Sequence, residues 1–251
     1  MKKILLALSL VVNFNYALAS GGGGEPLIER HWAFEGPFGH VDKQSAQRGF
    51  QVYKEVCAAC HSLKRVYFRN LEDIGFGADE VASLAAEYNV PDGPDELGDM
   101  YERAAKPSDH IPSPYANENA ARASNGGAFP PDLSLMIKAR PNGGNYLYSL
   151  LNGYRDAPKH VEVQAGMYYN IYFPGNKIAM PVPISEGQVE YIDGTPATME
   201  QMSVDLVNFL QWAAEPEMEH RNHMGIRTML FLIVFTLLFI VAKRRVWKNV
   251  K

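Results

Sequence analysis

Cys57-Ala58-Ala59-Cys60-His61 holds both cysteines of this 251-residue chain. C-x-x-C-H is the attachment spacing of a c-type haem. Two thiols on adjacent turns can add to the two vinyl groups of one porphyrin edge, and the next residue brings an imidazole under the iron. A zinc site would need a second Cys or His pair, and there is no third cysteine. A thioredoxin-like redox pair would need a βαβ setting, which the flanking pattern lacks. A disulfide scaffold is excluded, because the cysteines are only two residues apart. The motif therefore predicts one haem c, bound covalently through Cys57 and Cys60.

A sixth ligand has to come from ten methionines and six other histidines. Met180 lies in Lys177-Ile178-Ala179-Met180-Pro181-Val182-Pro183, a loop stiffened by two prolines that can hold a thioether over an iron. Met199 and Met202 fall on a helix, where methionine more often fills core. Spacing alone leaves Met180 level with Met100, Met136, Met167 and the histidines. His31, His40, His110 and His160 read as surface residues.

Around the motif, Ser45–Cys57 reads as a helix, with Phe50, Tyr53 and Val56 on one face. Thr198 followed by Gln201 is a capping-box signature. The helix it opens carries Met202, Leu206, Phe209 and Ala213 on one stripe and ends near Pro216. Tyr146–Leu151 suggests a short helix closed by Asn152-Gly153. Gly- and Pro-rich chain fills 89–98, 107–114, 124–131, 140–145 and 173–183. There is no internal repeat and no alternating run long enough for a large sheet. So loop-rich a domain needs something besides its own elements to organise a core.

The two ends carry addresses. Met1-Lys2-Lys3, the nine-residue run Ile4–Val12 and Ala17-Leu18-Ala19-Ser20 form a signal peptide over 1–19, cut after Ala19. Gly21–Gly24 follows as a flexible leader. At the other end, Thr228–Ala242 is uncharged and covers about 22 Å as a helix. Extended back to Met224 it holds 19 residues, close to the ~20 a bilayer needs. Its Arg227 can snorkel to the headgroups. Lys243, Arg244, Arg245, Lys248 and Lys251 then place the tail inside by the positive-inside rule. The expected layout is a haem domain over 20–215, an anchor over 216–242 with 224–242 embedded, and a basic tail over 243–251. Such a chain crosses a bacterial-type inner membrane once, with its haem domain periplasmic and its C-terminus cytoplasmic.

The net charge of −4 hides how the charges are sorted. Residues 20–220 hold all 28 acids against 15 basic residues, a net of −13. That disfavours nucleic-acid binding, which calls for a basic patch on the folded domain.

Further runs carry a family resemblance. They are Trp32 with Phe34-Glu35-Gly36-Pro37-Phe38-Gly39 and Asp42; Gln47-Arg48-Gly49-Phe50-Gln51-Val52-Tyr53-Lys54-Glu55-Val56; Ala121-Arg122-Ala123-Ser124-Asn125-Gly126-Gly127-Ala128 through Pro130-Pro131-Asp132-Leu133-Ser134; Tyr168-Tyr169-Asn170 and Tyr172-Phe173-Pro174-Gly175; Asp193-Gly194-Thr195-Pro196-Ala197-Thr198; and Phe209-Leu210-Gln211-Trp212-Ala213-Ala214-Glu215-Pro216. Together with the C-terminal anchor, residues 31–251 resemble the cytochrome c1 family, haem subunits of the ubiquinol–cytochrome c oxidoreductase (cytochrome bc1) complex. The resemblance implies a mainly α fold, a class-I-like c-type cytochrome domain with long loops plus one C-terminal transmembrane helix. It implies His61 as proximal ligand, Met180 as axial ligand and Arg122 facing a haem propionate. In the Pro130-Pro131-Asp132-Leu133 loop, it implies a backbone carbonyl that accepts from the ligand histidine's other nitrogen. Cytochrome b and the Rieske iron–sulfur protein are the implied neighbours, and a cytochrome c is the acceptor. On this view the chain is a redox subunit rather than a catalyst on its own. Residues 72–109, with 11 acids against Arg103 and Lys106, are either a solvated, loop-rich insert or a docking field for a basic cytochrome c. The rival functions are a stand-alone membrane-anchored mono-haem carrier and, from another class, a haem peroxidase or gas sensor.

Overall fold

The computed structural model describes residues 25–249. The expected signal peptide over 1–19 and the Gly21–Gly24 leader lie outside the described residues, as do the last two residues of the tail.

Asp42 opens the first helix by accepting from the Ser45 amide at 3.1 Å, and α1 runs Lys43–Glu55. It starts two residues before the expected Ser45, because the cap rather than the periodicity sets the entry. It also ends before the haem motif. Past Val56 the chain tightens into a 3-10 turn over Cys57–Ala59, and the Cys60 and His61 amides both bond to the Cys57 carbonyl, at 3.1 and 2.8 Å.

The next segment departs from the loop-rich reading. A 3-10 helix over Phe68–Ile74 leads to α2 (Ala78–Ala86) and an antiparallel hairpin of β1 (Asn89–Asp92) and β2 (Tyr101–Ala104). Leu71, Ile74, Val81, Ala85 and Ala105 are buried in the main core. The apolar signal was weak because short elements and small alanines carry it. Asn117 caps α3 (Glu118–Ser124), accepting from the Ala120 amide at 2.9 Å.

α4 spans Gly143–Asn152 and begins three residues before Tyr146. Its first residue has to be glycine, since a Cβ there would lie 1.7 Å from the Ile137 carbonyl oxygen. Gly143-Gly144, read as loop from sequence, is thus the start of a tightly packed helix. β3 (Tyr168–Tyr169) pairs with β4 (Lys177–Ile178) just before Met180. Thr198 caps α5 (Met199–Ala214) as expected, accepting from the Gln201 amide at 3.1 Å. The mainly α expectation holds: six α-helices and two two-stranded sheets build the described residues, α6 below included.

The core forms where α1 crosses α5. Gly49 permits it, since a Cβ there would meet the Asp205 carbonyl oxygen at 2.0 Å. Phe50 and Tyr53 then reach Phe209, with ring centroids 5.6 and 5.8 Å apart. The expected stripe of Met202, Leu206, Phe209 and Ala213 is buried here.

α6 runs Met218–Val246, 29 residues, two later at its start and four later at its end than expected. Lys243–Arg245 continue it because cations suit a helix C-terminus. Met218 is buried against the domain, but from Met229 to Val246 its apolar side chains are exposed, and it is long and apolar enough to cross a membrane. Two glutamates at its entry tie it to the domain. Glu215 accepts from Lys138 and Arg221 at 2.6 and 2.7 Å, and Glu219 accepts from the Val41 amide at 2.8 Å.

Candidate functional site

The turn that ends α1 presents Cys57, Cys60 and His61 together. Cys57 is buried and Cys60 half-buried. Burial, then the neighbouring Cys60, pushes the Cys57 thiol up to about 12.

His61 Nδ1 sits 2.8 Å from the Pro131 carbonyl oxygen. A carbonyl only accepts, so Nδ1 carries the proton and Nε2 keeps its lone pair. Burial lowers the ring's pKa, with the Pro131 hydrogen bond and Asp132 opposing that shift. A neutral imidazole with Nε2 free is the form that binds a metal. The Tyr53 hydroxyl donates to the His61 carbonyl at 3.1 Å, pinning the motif to the last turn of α1.

Asp132 follows Pro131 and was read from sequence only as part of a loop. Its Oδ2 accepts from the Ser62 hydroxyl at 2.8 Å and the Lys64 amide at 2.9 Å, and its Oδ1 from the Ser134 amide at 3.0 Å. Burial pushes this carboxyl up, but the Lys64 amide and the Ser134 and Ser62 donors outweigh it and hold the group below the usual carboxylate range. The Leu133 amide donates to the Ser62 carbonyl at 2.9 Å, and the Arg65 amide to the Ser134 hydroxyl at 3.1 Å. Nothing in the local pattern announces this set, because its two halves lie about seventy residues apart in the chain.

Met180 is half-buried, two residues past β4. Its carbonyl accepts from the Tyr154 hydroxyl at 3.1 Å, so the Pro181-flanked loop is fixed from outside. Arg122 is exposed on α3. Its Nε and Nη2 both donate to Glu118 Oε1, at 2.9 and 2.6 Å, and its Nη1 donates to the Gly127 carbonyl at 2.9 Å. Glu118 and Arg122 are four apart on a helix, so the pairing was readable from the sequence. The structure thus gathers Cys57, Cys60, His61 and Pro131. Among the described residues neither Met180 nor Arg122 hydrogen-bonds to that group.

These donors suit a haem c: two thiols at one helix end, an imidazole with Nε2 free, and a thioether on a fixed loop. Among the described residues no three His, Cys, Asp or Glu side chains converge as a bare-metal site.

Comparison with known proteins bears on the same residues. Residues 32–250 match the model described as the Cytochrome C1 family. The chain is 46% identical over 266 residues to cytochrome c1 of Rhodospirillum rubrum, covering 100% of this chain and 98% of that protein. It is 49% identical over 221 residues to the mitochondrial cytochrome c1 heme protein of Saccharomyces cerevisiae, covering 88% and 72%. It is 45% identical over 255 residues to the cytochrome b/c1 of Bradyrhizobium diazoefficiens, covering 93% of this chain and 37% of that longer protein. With the family model matched over nearly its whole length, the chain belongs to the cytochrome c1 family of haem electron-transfer subunits of the bc1 complex.

Proposed function

We propose that this chain passes single electrons from a Rieske iron–sulfur protein to a cytochrome c within a quinol–cytochrome c oxidoreductase. The observation that carries the reading is the 2.8 Å approach of His61 Nδ1 to the Pro131 carbonyl, directly beside the C-x-x-C-H thiols. When bound, the haem supplies a one-electron iron couple, and Met/His ligation raises its potential. Cys57 and Cys60 hold it covalently. His61 and Met180 would hold the iron between them, a ligand set that would supply one-electron transfer rather than oxygen or peroxide chemistry and that disfavours the peroxidase or gas-sensor reading. Arg122 would offer its guanidinium to a propionate, giving up its exposed pair with Glu118. Cytochrome b is the neighbour in the membrane, a reading supported by the relative named cytochrome b/c1. The 1–19 segment is removed on export, the haem domain lies in the periplasm, and the tail after Lys243 stays in the cytoplasm. Co-purification with a cytochrome b and an iron–sulfur subunit separates this reading from a stand-alone carrier.

Replacing Met180 by Leu tests the ligand set. The expected outcome is a lower midpoint potential and loss of quinol–cytochrome c turnover. Carbon monoxide binding to the reduced variant, absent in the parent, is the accompanying spectroscopic sign. An unchanged potential and turnover would remove Met180 from the site.

A further inference from the structure

We propose that Asp132 is a positioning residue for the axial imidazole, holding the Pro131 carbonyl on His61 Nδ1. The inference rests on the reading of His61 as haem ligand.

The carbonyl that accepts from His61 belongs to the peptide unit joining Pro131 to Asp132, and that unit is planar. Whatever fixes Asp132 therefore also fixes the direction of the carbonyl. On the other side of it, Pro130 and Pro131 have no amide proton and can donate nothing to hold the loop in place. The fastening lies with Asp132 and the two residues after it. Asp132 Oδ2 spans Ser62 Oγ and the Lys64 amide, and Oδ1 closes onto the Ser134 amide. Beside it the Leu133 amide meets the Ser62 carbonyl. Ser62 directly follows His61, so the chain on both sides of the Nδ1 contact is locked in register.

Both carboxylate oxygens are used as acceptors. An asparagine keeps the shape but turns an NH2 toward a donor, so at least one of these bonds is lost. A firmly held Nδ1–H to carbonyl bond makes a histidine a more basic metal ligand, which favours the oxidised iron. Loosening that bond and removing the negative charge act in the same direction.

The test uses the membrane-anchored holoprotein in its complex for potentiometry and solubilised holoprotein for NMR. In Asp132→Asn the midpoint potential rises, and exchange of the His61 Nδ1 proton in the reduced protein speeds up about tenfold, the factor expected for one lost hydrogen bond. Ser62→Ala removes one fastening and keeps the charge, and it shifts both readouts the same way by less. If Asp132→Asn does not accumulate, Ser62→Ala carries the test by itself. Lower haem content or thermal stability with an unchanged potential and exchange rate in either folded variant would overturn the inference, leaving Asp132 merely structural. A parent spectrum lacking low-spin histidine ligation would instead defeat the ligand reading, so the two failures are distinguishable.

Discussion

Asp205 is fully buried, and four donors converge on its carboxylate. The Ser45 hydroxyl lies at 2.7 Å, Arg48 Nε and Nη2 at 3.0 Å each, and Gln201 Nε2 at 3.0 Å. Asn208 extends the set by donating to Ser45 Oγ at 2.9 Å. The Arg48 guanidinium is largely buried and also reaches Asp193 at 2.9 Å. A polar group buried this deeply is costly unless it is hydrogen-bonded, so the arrangement holds only as a complete set. Replacing Asp205 by Ala leaves the largely buried Arg48 only its contact with Asp193. The expected loss is about 3–5 kcal/mol of stability, read as a shift in the denaturant midpoint of the holoprotein. Replacing Arg48 and Asp205 together by apolar residues should recover part of it. Arg48 stood in the sequence only as one letter of a resemblance. Its buried partner Asp205 sits on α5, 157 residues away, so no local pattern could reveal the pair.

At the level of elements, the α1–α5 crossing decides the geometry of the domain. Gly49 carries no side chain because the Asp205 carbonyl occupies the space a Cβ would need. Gly49→Ala is expected to cost about 2–3 kcal/mol through overpacking, against a gain of up to about 1 from helix propensity, lowering the thermal midpoint of the holoprotein. The face of α5 was legible, since four apolar residues at helical spacing can only turn one way. The tightness of the crossing was not. A glycine in a helix reads as a weak spot until its neighbour is known. The β1–β2 hairpin is a second case. Arg103 ion-pairs with Asp92 and with Asp109, the latter at 2.6 Å. The Arg103 hydrogen bond, then the Lys106 amide, lowers the Asp109 carboxyl to about 2, against about 3.9 in an unfolded chain. A depressed carboxylate stabilises the fold above the unfolded value and loses that contribution as pH falls through the folded one. The hairpin amides are therefore expected to lose protection, relative to their intrinsic exchange rates, between about pH 4 and pH 2, which hydrogen exchange can follow.

At the scale of the whole molecule, the charges keep their division of labour while some change role. Glu215 and Glu219, at the entry of the anchor, fasten α6 to the domain. Within 72–109, Asp92 and Asp109 are taken by Arg103, and Glu87 by Lys54 at 2.7 Å. Glu72, Asp79, Glu96, Asp99 and Glu102 remain exposed. If this surface is a docking field for a basic cytochrome c rather than a solvated insert, the rate of its reduction should fall steeply with ionic strength. Reversing Glu96 and Asp99 to lysine should slow encounter about tenfold at low salt while leaving the midpoint potential unchanged. A rate indifferent to both would return the acids to a solubility role.

By itself the sequence determined the haem motif, the helix that leads into it, the capped α5 and the apolar α6. Each is written in a contiguous run, where spacing is already geometry. Tertiary structure decided the rest, because the causes are distant in the chain. It set the Pro131 carbonyl on His61, closed the Asp132 and Asp205 networks, and brought α1 against α5 at Gly49. It also turned a supposed loop-rich insert into packed helix and hairpin, since buried alanines and isolated leucines gain meaning only from the surface that covers them.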